Sequence, residues 1–131
     1  MSLIVLDTDV ASATLLGRLP DRLRARLVGH TMAITFVTLG ELAKWTALRG
    51  WGSRRLADLA SWRQHVAVLS YDEAVTTMWG QLQARAQLRG RPRPVNETWI
   101  AACCLVDGLP LATLNVKDFV DFAEYESLIL I

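Results

Sequence analysis

Short apolar runs alternate along the chain with longer segments of helical periodicity. Runs of four or five mostly apolar residues predict buried strands at 3–6, 32–36, 66–69, 109–113 and 128–131. Apolar residues spaced three or four apart predict helices at 10–16, 21–28, 39–47, 53–62, 72–88 and 95–106. Because strands alternate with helices, we expect one α/β domain over residues 1–131, with a mostly parallel five-stranded sheet flanked by helices on both faces.

Glycine and proline mark the ends of several predicted helices. Gly17, Gly29 and Gly108 each follow an apolar helical segment, a position where glycine commonly ends a helix. The segment 90–94 contains two prolines and predicts an exposed loop before the last predicted helix. Within the predicted helix at 53–62, the apolar spacing predicts four inward-facing side chains: Leu56, Leu59, Ala60 and Trp62.

Size and composition favour a protein that folds in a reducing compartment without disulfides. The chain has 131 residues, of which 52% are hydrophobic, and this length suffices for one buried core. No apolar run approaches the roughly 20 residues that a membrane-spanning helix needs, and the N-terminus lacks the basic segment of a signal peptide. We therefore expect a cytoplasmic protein that does not bind membranes. The adjacent Cys103 and Cys104 cannot easily bridge and are expected to be small buried side chains.

The formal net charge of +1 indicates little about partners, but the basic residues are clustered and are mostly arginine. Arginine forms planar, bidentate contacts with phosphates. The arginines form two groups. The first is a candidate for RNA contact and comprises Arg85, Arg89, Arg91 and Arg93. The second comprises Arg18, Arg22, Arg24 and Arg26. Trp45 and Trp51 flank the helix at 39–47 and are candidates for a protein-binding surface. Trp62 and Trp79 fall on apolar helix stripes and are expected in the core.

Oxygen-bearing side chains occur in four separate segments that the predicted topology brings to one edge of the sheet. Asp7 directly follows the first strand, and Glu41 lies early in the helix after the second strand. Glu97 lies in the first turn of the helix after the 90–94 loop, and Asn115 and Asp118 are expected in a turn after the fourth strand. Ligands of parallel α/β sheets bind outside the carboxyl ends of the strands, so we expect these side chains to share one site.

Carboxylates gathered at one point repel each other unless a cation lies among them. Neither His30 nor His65 is expected near this set, and oxygen ligands without His or Cys select Mg²⁺ or Mn²⁺ over zinc. A divalent ion in such a site lowers the pKa of its bound water and neutralises a phosphate oxygen. The constellation therefore indicates hydrolysis of a phosphodiester by water, without a covalent enzyme intermediate.

Four segments of the sequence resemble those of PIN-domain ribonucleases, and in size and C-terminal motif the chain is most similar to VapC-type toxins. The similar segments follow in family order at family spacing: 3–8 (LIVLDT), 35–41 (TFVTLGE), 96–102 (NETWIAA) and 108–119 (GLPLATLNVKDF). The resemblance implies a PIN-like fold and an Mg²⁺- or Mn²⁺-dependent endoribonuclease that hydrolyses RNA. It further implies a homodimer, inhibited by an antitoxin protein whose C-terminal tail enters the active site.

The resemblance also implies roles for individual residues. Asp7, Glu41 and Glu97 match the three main acidic positions, and Asp118 or Asn115 matches the variable fourth. The implied catalytic residues are thus Asp7, Glu41, Glu97 and Asp118, with Asp7 and Glu97 as metal ligands. Four further residues have supporting roles: Thr8 and Thr113 as holders of water or ligand, Asn96 as a brace, and Asn115.

One position departs from the family pattern. The third acidic residue is usually Asp, whereas this chain has Glu97, whose extra methylene extends the carboxylate by roughly 1.5 Å. The longer side chain brings the carboxylate into direct contact with the metal, or it weakens metal binding and slows the enzyme. The second outcome leaves open an alternative, a catalytically weakened PIN-like domain that only binds its partners.

A second alternative is a phosphatase similar to the haloacid-dehalogenase group. Asp7 and Asp9 after an apolar strand fit the nucleophile and the acid–base residue of such enzymes. The downstream sequence fits poorly, since no adjacent pair of acids follows a later strand and Lys117 is the only candidate for the required lysine. Under this alternative Asp9→Asn abolishes activity, whereas under the ribonuclease interpretation its effect is milder.

Overall fold

Four parallel strands form the centre of the fold in a computed structural model that describes residues 2–131. The strands are β1 (Leu3–Leu6), β2 (Thr31–Thr35), β3 (Val66–Leu69) and β4 (Leu111–Ala112), in the spatial order β3-β2-β1-β4. In register, Val5 of β1 lies between Ala33 of β2 and Leu111 of β4. Strand β1 is therefore central, and its carboxyl end adjoins those of β2 and β4.

Seven helices connect and cover the strands in the described part of the chain: α1 (Thr8–Leu15), α2 (Asp21–Leu27), α3 (Phe36–Leu48), α4 (Ser53–Arg63), α5 (Glu73–Leu88), α6 (Val95–Asp107) and α7 (Val116–Glu126). The prediction of an α/β domain with helices on both faces is confirmed. Thr35 ends β2 and caps α3 through its hydroxyl, which accepts the Thr38 N–H. Phe36, predicted in the strand, is consequently the first residue of a helix. No helix among residues 2–131 is long and apolar enough to cross a membrane.

Each face of the sheet carries its own apolar core, because successive side chains of a strand point to opposite faces. Val5 and Ala33 pack on one side against α5, α6 and α7. Ile4, Leu6 and Ile34 pack on the other against α1, α2 and α3. As predicted, Cys103 and Cys104 are free and buried in the first core, and burial raises the pKa of Cys103 to about 12.

The predicted fifth strand does not form as a strand. Residues 128–131 return alongside β4, but only Leu130 bridges to Leu111. The bridge is held by two hydrogen bonds, from Leu111 N–H to the Ile129 carbonyl and from Ile131 N–H to the Leu111 carbonyl. Since β4 itself is two residues long, it offers little backbone for a longer ladder.

Helix α7 was not predicted, and the segment before it was expected to be a turn. Asn115 occupies the N-cap position and Asp118 lies in the first helical turn. Phe119 and Phe122 are buried against the sheet. Val116, Phe119, Val120 and Ala123 follow helical spacing, so the sequence does contain a signal for α7 that the predicted turn left unused. The burial of Phe119 and Phe122 fixes α7 onto the core.

The prediction that Leu56, Leu59, Ala60 and Trp62 all face inward is wrong for two of them. Leu56 and Ala60 are exposed, and α4 contains no buried residue. Trp62 is half-buried against the α1–α3 core. Helix α4 lies at the outer edge of the layer, next to α1 and β3, so one narrow stripe contacts the protein.

Ion pairs join α7 to the arginine-rich end of α5 and the loop after it. Arg85 makes a bidentate contact with Glu126, and Arg91 makes one with the buried Asp121 at 2.8 and 3.1 Å. Arg89 and Arg93 add contacts to the same two carboxylates at 3.3 and 3.7 Å. The hydrogen bonds from Arg91 hold the pKa of Asp121 below its ordinary value.

We predict that Asp121→Asn lowers Tm at pH 7 by about 5 °C, because Asn cannot accept the charge-assisted bidentate contact of Arg91. Because the pKa of Asp121 is lowered in the folded protein, its ionised form stabilises wild type at all pH values above about 4. The difference in Tm between the variant and wild type therefore becomes smaller only below about pH 4. Thermal denaturation followed by circular dichroism measures both. The matched control is Asp21→Asn, whose carboxylate is 97% exposed and makes only a surface ion pair with Arg24 at 3.5 Å. Because such pairs contribute little to stability, this change should lower Tm by less than about 1 °C. Equal Tm values for the two variants would contradict the prediction.

Candidate active site

A pocket of about 130 Å³ lies at the carboxyl ends of β1 and β4. Its lining combines acidic, polar and apolar side chains: Asp7, Thr8, Asp9, Glu41, Glu97, Ile100, Asn115, Asp118 and Phe119. We call it the acidic pocket. The structure thus brings together all four predicted catalytic residues, together with Thr8 and Asn115. They come from the start of α1, from α3, from α6 and from the start of α7.

Asp7 is the most buried of these carboxylates, at 4% exposure. One oxygen accepts the Val10 N–H at 2.9 Å, so that Asp7 caps α1. The other accepts the hydroxyl hydrogen of Thr113 at 2.5 Å. Burial raises the pKa of Asp7 to about 6, although these two hydrogen bonds oppose the shift and the nearby Asp9 and Asp118 carboxylates add to it. The site therefore disfavours the ionised carboxylate unless positive charge is brought to it.

Glu41 is held in a fixed orientation by Thr8. The Thr8 hydroxyl donates to Glu41 Oε1 at 2.6 Å and lies 3.1 Å from the hydroxyl of the buried Thr38. Helix α3 begins at the end of β2, which places Glu41 in its second turn beside the acidic pocket. The other oxygen of Glu41 has no protein partner among residues 2–131, so it is available to a ligand or a water.

Glu97 and Asp118 provide carboxylates with no side-chain hydrogen bond among the described residues. Both are half-buried and line the acidic pocket. Glu97 lies in the first turn of α6, after Pro94, whose extended backbone ends the loop. An acid in the first turn of a helix is favoured by the helix dipole, so local structure alone permits Glu97 here. The pocket location is what distinguishes it from a helix-capping acid.

Asp9 belongs to the pocket although the ribonuclease interpretation of the sequence did not include it. The Asn115 side-chain amide donates a hydrogen bond to Asp9, and the Asn115 N–H donates to the Thr113 hydroxyl at 2.9 Å. Thr113 thus connects Asp7 to Asn115. Spacing offers a signal for Asp9, since it follows Asp7 by two residues in the first turn of a helix that opens at the sheet edge.

Two predicted groups lie outside the acidic pocket. Asn96 is exposed and lines an adjoining groove of about 560 Å³ together with Thr8 and Glu41. The guanidinium groups of Arg85, Arg89, Arg91 and Arg93 contact the carboxylates of α7. Their role in binding RNA remains a prediction, although these ion pairs give them a structural role.

The donor set fits a hydrated divalent cation. Five carboxylates line the acidic pocket, and no basic side chain does. Among residues 2–131, no three acidic, His or Cys side chains converge closely enough to ligate one ion directly. Mg²⁺ retains several waters and takes one or two carboxylates, so a spaced acidic cluster suits it. The raised pKa of Asp7 indicates the same need for positive charge.

Comparisons with known proteins agree with this geometry. Residues 4–125 match the PIN domain family. The chain is 36% identical to ribonuclease VapC5 of Mycobacterium tuberculosis, over 83% of this chain and 80% of that protein. It is 32% identical to the tRNA(fMet)-specific endonuclease VapC of Shigella flexneri, over 88% of each.

Solved structures of toxin–antitoxin complexes share the fold. A member of the VapBC family of toxin-antitoxin systems, VapBC-5 of Mycobacterium tuberculosis, gives a TM-score of 0.72 at 30% identity, covering 100% of this chain and 98% of that one. The structure of DNA-bound VapBC from Salmonella typhimurium gives a TM-score of 0.82 at 25% identity, and the match again covers 100% of this chain and 98% of that one. These matches support the ribonuclease interpretation over the phosphatase alternative.

We predict that Asp7→Asn stabilises the metal-free protein at pH 7.5. Asn keeps both hydrogen bonds, to the Val10 N–H and to Thr113, but removes the buried negative charge. Because the folded pKa of about 6 exceeds the ordinary 3.8, wild type loses stability as the pH rises between these values. One pKa unit corresponds to about 1.4 kcal/mol, so we expect Tm to rise by about 5–10 °C at pH 7.5 and not at pH 4.

Thermal denaturation in EDTA at both pH values measures this difference. Asp107→Asn is the matched control, since this acid is exposed at the end of α6 and its replacement should have little pH-dependent effect. A lower Tm for Asp7→Asn at pH 7.5 would mean that the protein already stabilises the ionised carboxylate, contrary to our account.

Proposed function

Because the chain belongs to the PIN domain family and is similar to VapC ribonucleases over most of its length, we propose that it is a metal-dependent endoribonuclease and the toxin of a toxin–antitoxin pair. The observation that carries the proposal is the acidic pocket. It joins Asp7, Glu41, Glu97 and Asp118 at the carboxyl edge of the sheet, where α/β folds bind their ligands.

The metal in this proposal is Mg²⁺ or Mn²⁺, held by Asp7 and Glu97. Both cations prefer the oxygen donors found here. Such an ion supplies positive charge at a phosphodiester and lowers the pKa of water. Asp7 is the fixed ligand, since the Val10 N–H and the Thr113 hydroxyl hold its two oxygens. Glu97 is the adjustable ligand, since its longer side chain has no other partner among the described residues.

Glu41 is the proposed proton acceptor. The hydrogen bond from Thr8 fixes one oxygen, which leaves the other to orient a water and take its proton. The water oxygen forms a bond to phosphorus and the bond to the leaving oxygen of the RNA breaks, with a proton returning to that oxygen. Asp118 lines the same pocket from the first turn of α7 and is a second site for this proton exchange.

The proposed partners are RNA, an antitoxin protein and a second copy of the chain, in the cytoplasm. The structural neighbours include VapBC complexes, one of them from a toxin–antitoxin family. A partly exposed aromatic cluster next to the groove that adjoins the acidic pocket supports an interface there. The ring centroid of Phe36 lies 5.5 Å from that of Tyr71 and 5.6 Å from that of Trp99. The Trp99 ring stacks on Trp79 with centroids 4.8 Å apart. Tyr71 is 67% exposed.

We predict that the purified protein cleaves RNA with Mg²⁺ or Mn²⁺ and loses this activity in EDTA. Glu41→Gln should lower kcat by about 10²–10⁴-fold, which is the usual contribution of a general base. Asp107→Asn, exposed and outside the pocket, should cleave like wild type. The measurement is cleavage of fluorescent single-stranded RNAs of varied sequence and of total RNA. Full activity of Glu41→Gln would remove the role assigned to that residue.

We also predict that Glu97→Asp retains or increases ribonuclease activity, because Asp is the usual residue at this family position and keeps the charge. Glu97→Gln is the matched control and should lose activity, since it removes a metal ligand while preserving length. Activity is compared across a Mn²⁺ titration, so that a change in metal affinity is separated from a change in kcat. A clear loss on Glu97→Asp would show that the position is misassigned.

A further inference from the structure

A second pocket, of about 370 Å³, lies between α1, the end of α3 and α4. Its lining is mostly cationic and aromatic: Arg18, Arg49, Arg55, Trp45, Trp51, Leu15, Leu16 and Asp58. We call it the arginine pocket. None of its residues belongs to the acidic pocket, and nothing in the proposed hydrolysis uses it.

Two tryptophans hold two of the guanidinium groups in place. The rings of Trp45 and Trp51 lie 5.1 Å apart with planes tilted by 59°. The guanidinium carbon of Arg49 lies 5.2 Å from the centre of the Trp45 ring, and that of Arg55 lies 5.7 Å from the centre of the Trp51 ring. A guanidinium that rests on an aromatic ring loses little further freedom on binding a ligand. The rings therefore position the arginines, and the stacked arginines cover ring surface that a base would need.

The charge of these arginines is not neutralised within the protein. Among residues 2–131, none of Arg18, Arg49 and Arg55 has a carboxylate within 4.0 Å. Asp58 is the acid in the lining, so three cations face one carboxylate. This differs from Arg85 and Arg91, each of which is matched by a carboxylate of α7. Unpaired planar donors held in a pocket suit an anion with several oxygens, such as a phosphate.

The arginine pocket is connected to the acidic pocket along α3. Trp45 also lines the groove of about 560 Å³, which contains Lys44 and shares Thr8 and Glu41 with the acidic pocket. Glu41 and Trp45 are one helical turn apart, about 6 Å along the axis, and Trp51 lies 5.1 Å beyond Trp45. A substrate that fills only the acidic pocket does not reach the arginines, whereas a longer strand laid along α3 does.

We propose that the arginine pocket binds backbone phosphates of the single-stranded RNA substrate, on one side of the cleaved bond. The inference deepens the proposed ribonuclease function and rests on it. The strand runs from the acidic pocket past Lys44 to Arg49, Arg55 and Arg18. Binding there contributes affinity for longer RNA without discriminating between bases, because the contacts are made to phosphate.

The test compares two double variants with the same change in net charge. Arg49→Gln/Arg55→Gln removes the stacked pair, and Arg54→Gln/Arg63→Gln removes two exposed arginines of α4 outside the pocket. Binding of a fluorescent 12-nucleotide RNA is measured in the Asp7→Asn background without divalent metal, from low to high salt. We expect the first variant to bind at least about tenfold more weakly and its salt slope to fall by about 1.4, or 0.7 for each lost phosphate contact. The control should change neither by much.

Cleavage by otherwise wild-type protein gives a second readout. For the 12-nucleotide RNA, Arg49→Gln/Arg55→Gln should raise KM and leave kcat near wild type, whereas both double variants should cleave a dinucleotide equally. Circular dichroism confirms that each variant is folded. Equal Kd values and salt slopes for the two double variants would overturn the proposal, as would a defect in binding an antitoxin protein with RNA binding intact. If wild type cleaves no RNA with any metal, the proposed function fails while the binding result still decides the role of the pocket.

Discussion

The site depends on one constraint: the buried Asp7 carboxylate shares a pocket with four other carboxylates. Asp7 follows the central strand, is almost fully buried, and has Asp9 and Asp118 nearby. Burial of an ionised group costs free energy unless hydrogen bonds and opposite charge offset it. The protein supplies the hydrogen bonds, from the Val10 N–H and the Thr113 hydroxyl. It supplies no basic side chain to the pocket, and this asymmetry is the strongest physical reason to assign a cation there.

The order of the strands explains why residues far apart in sequence meet at this point. Strand β1 lies between β2 and β4, so residues that follow all three strands share one edge. Thr113 reaches Asp7 across 106 positions of sequence. Helix α7 then continues from Asn115, and its ion pairs with Arg85 and Arg91 fix it against α5 and the loop after it. Distant salt bridges therefore help to hold Asp118 beside the pocket, although they do not contact it.

Much of the fold and of the candidate site was predictable because its signals are local. The four-residue apolar run before Asp7 is typical of a short buried strand with an acid at its carboxyl end. The apolar segment that ends before Gly108 is one continuous helix. The predictions failed where the packing of distant segments determines the local structure or the exposure of a side chain. Helix α7 is amphipathic, but the acidic and asparagine residues at its start favoured a turn, and only Phe119 and Phe122 of its apolar residues are buried in the core. The exposure of Leu56 follows from the peripheral place of α4. Asp9 has a local signal in its spacing from Asp7, but its hydrogen bond with the distant Asn115 could not be read from the sequence.

Ion pairing separates the arginines at the end of α5 from those of the arginine pocket better than their clustering in the sequence does. Arg85 to Arg93 are close in sequence and look like a phosphate-binding patch, yet each is within reach of a carboxylate of α7. Arg18, Arg49 and Arg55 come from the loop after α1, the C-cap of α3 and α4. Only Arg18 belongs to an arginine cluster in the sequence, yet the three line one pocket and lack such partners among the described residues. An ion pair at the surface contributes little to stability on its own, and an anion competing for a paired arginine must displace its carboxylate. Unpaired arginines held by tryptophan carry no such penalty, which is why a phosphate backbone should follow α3 rather than α7.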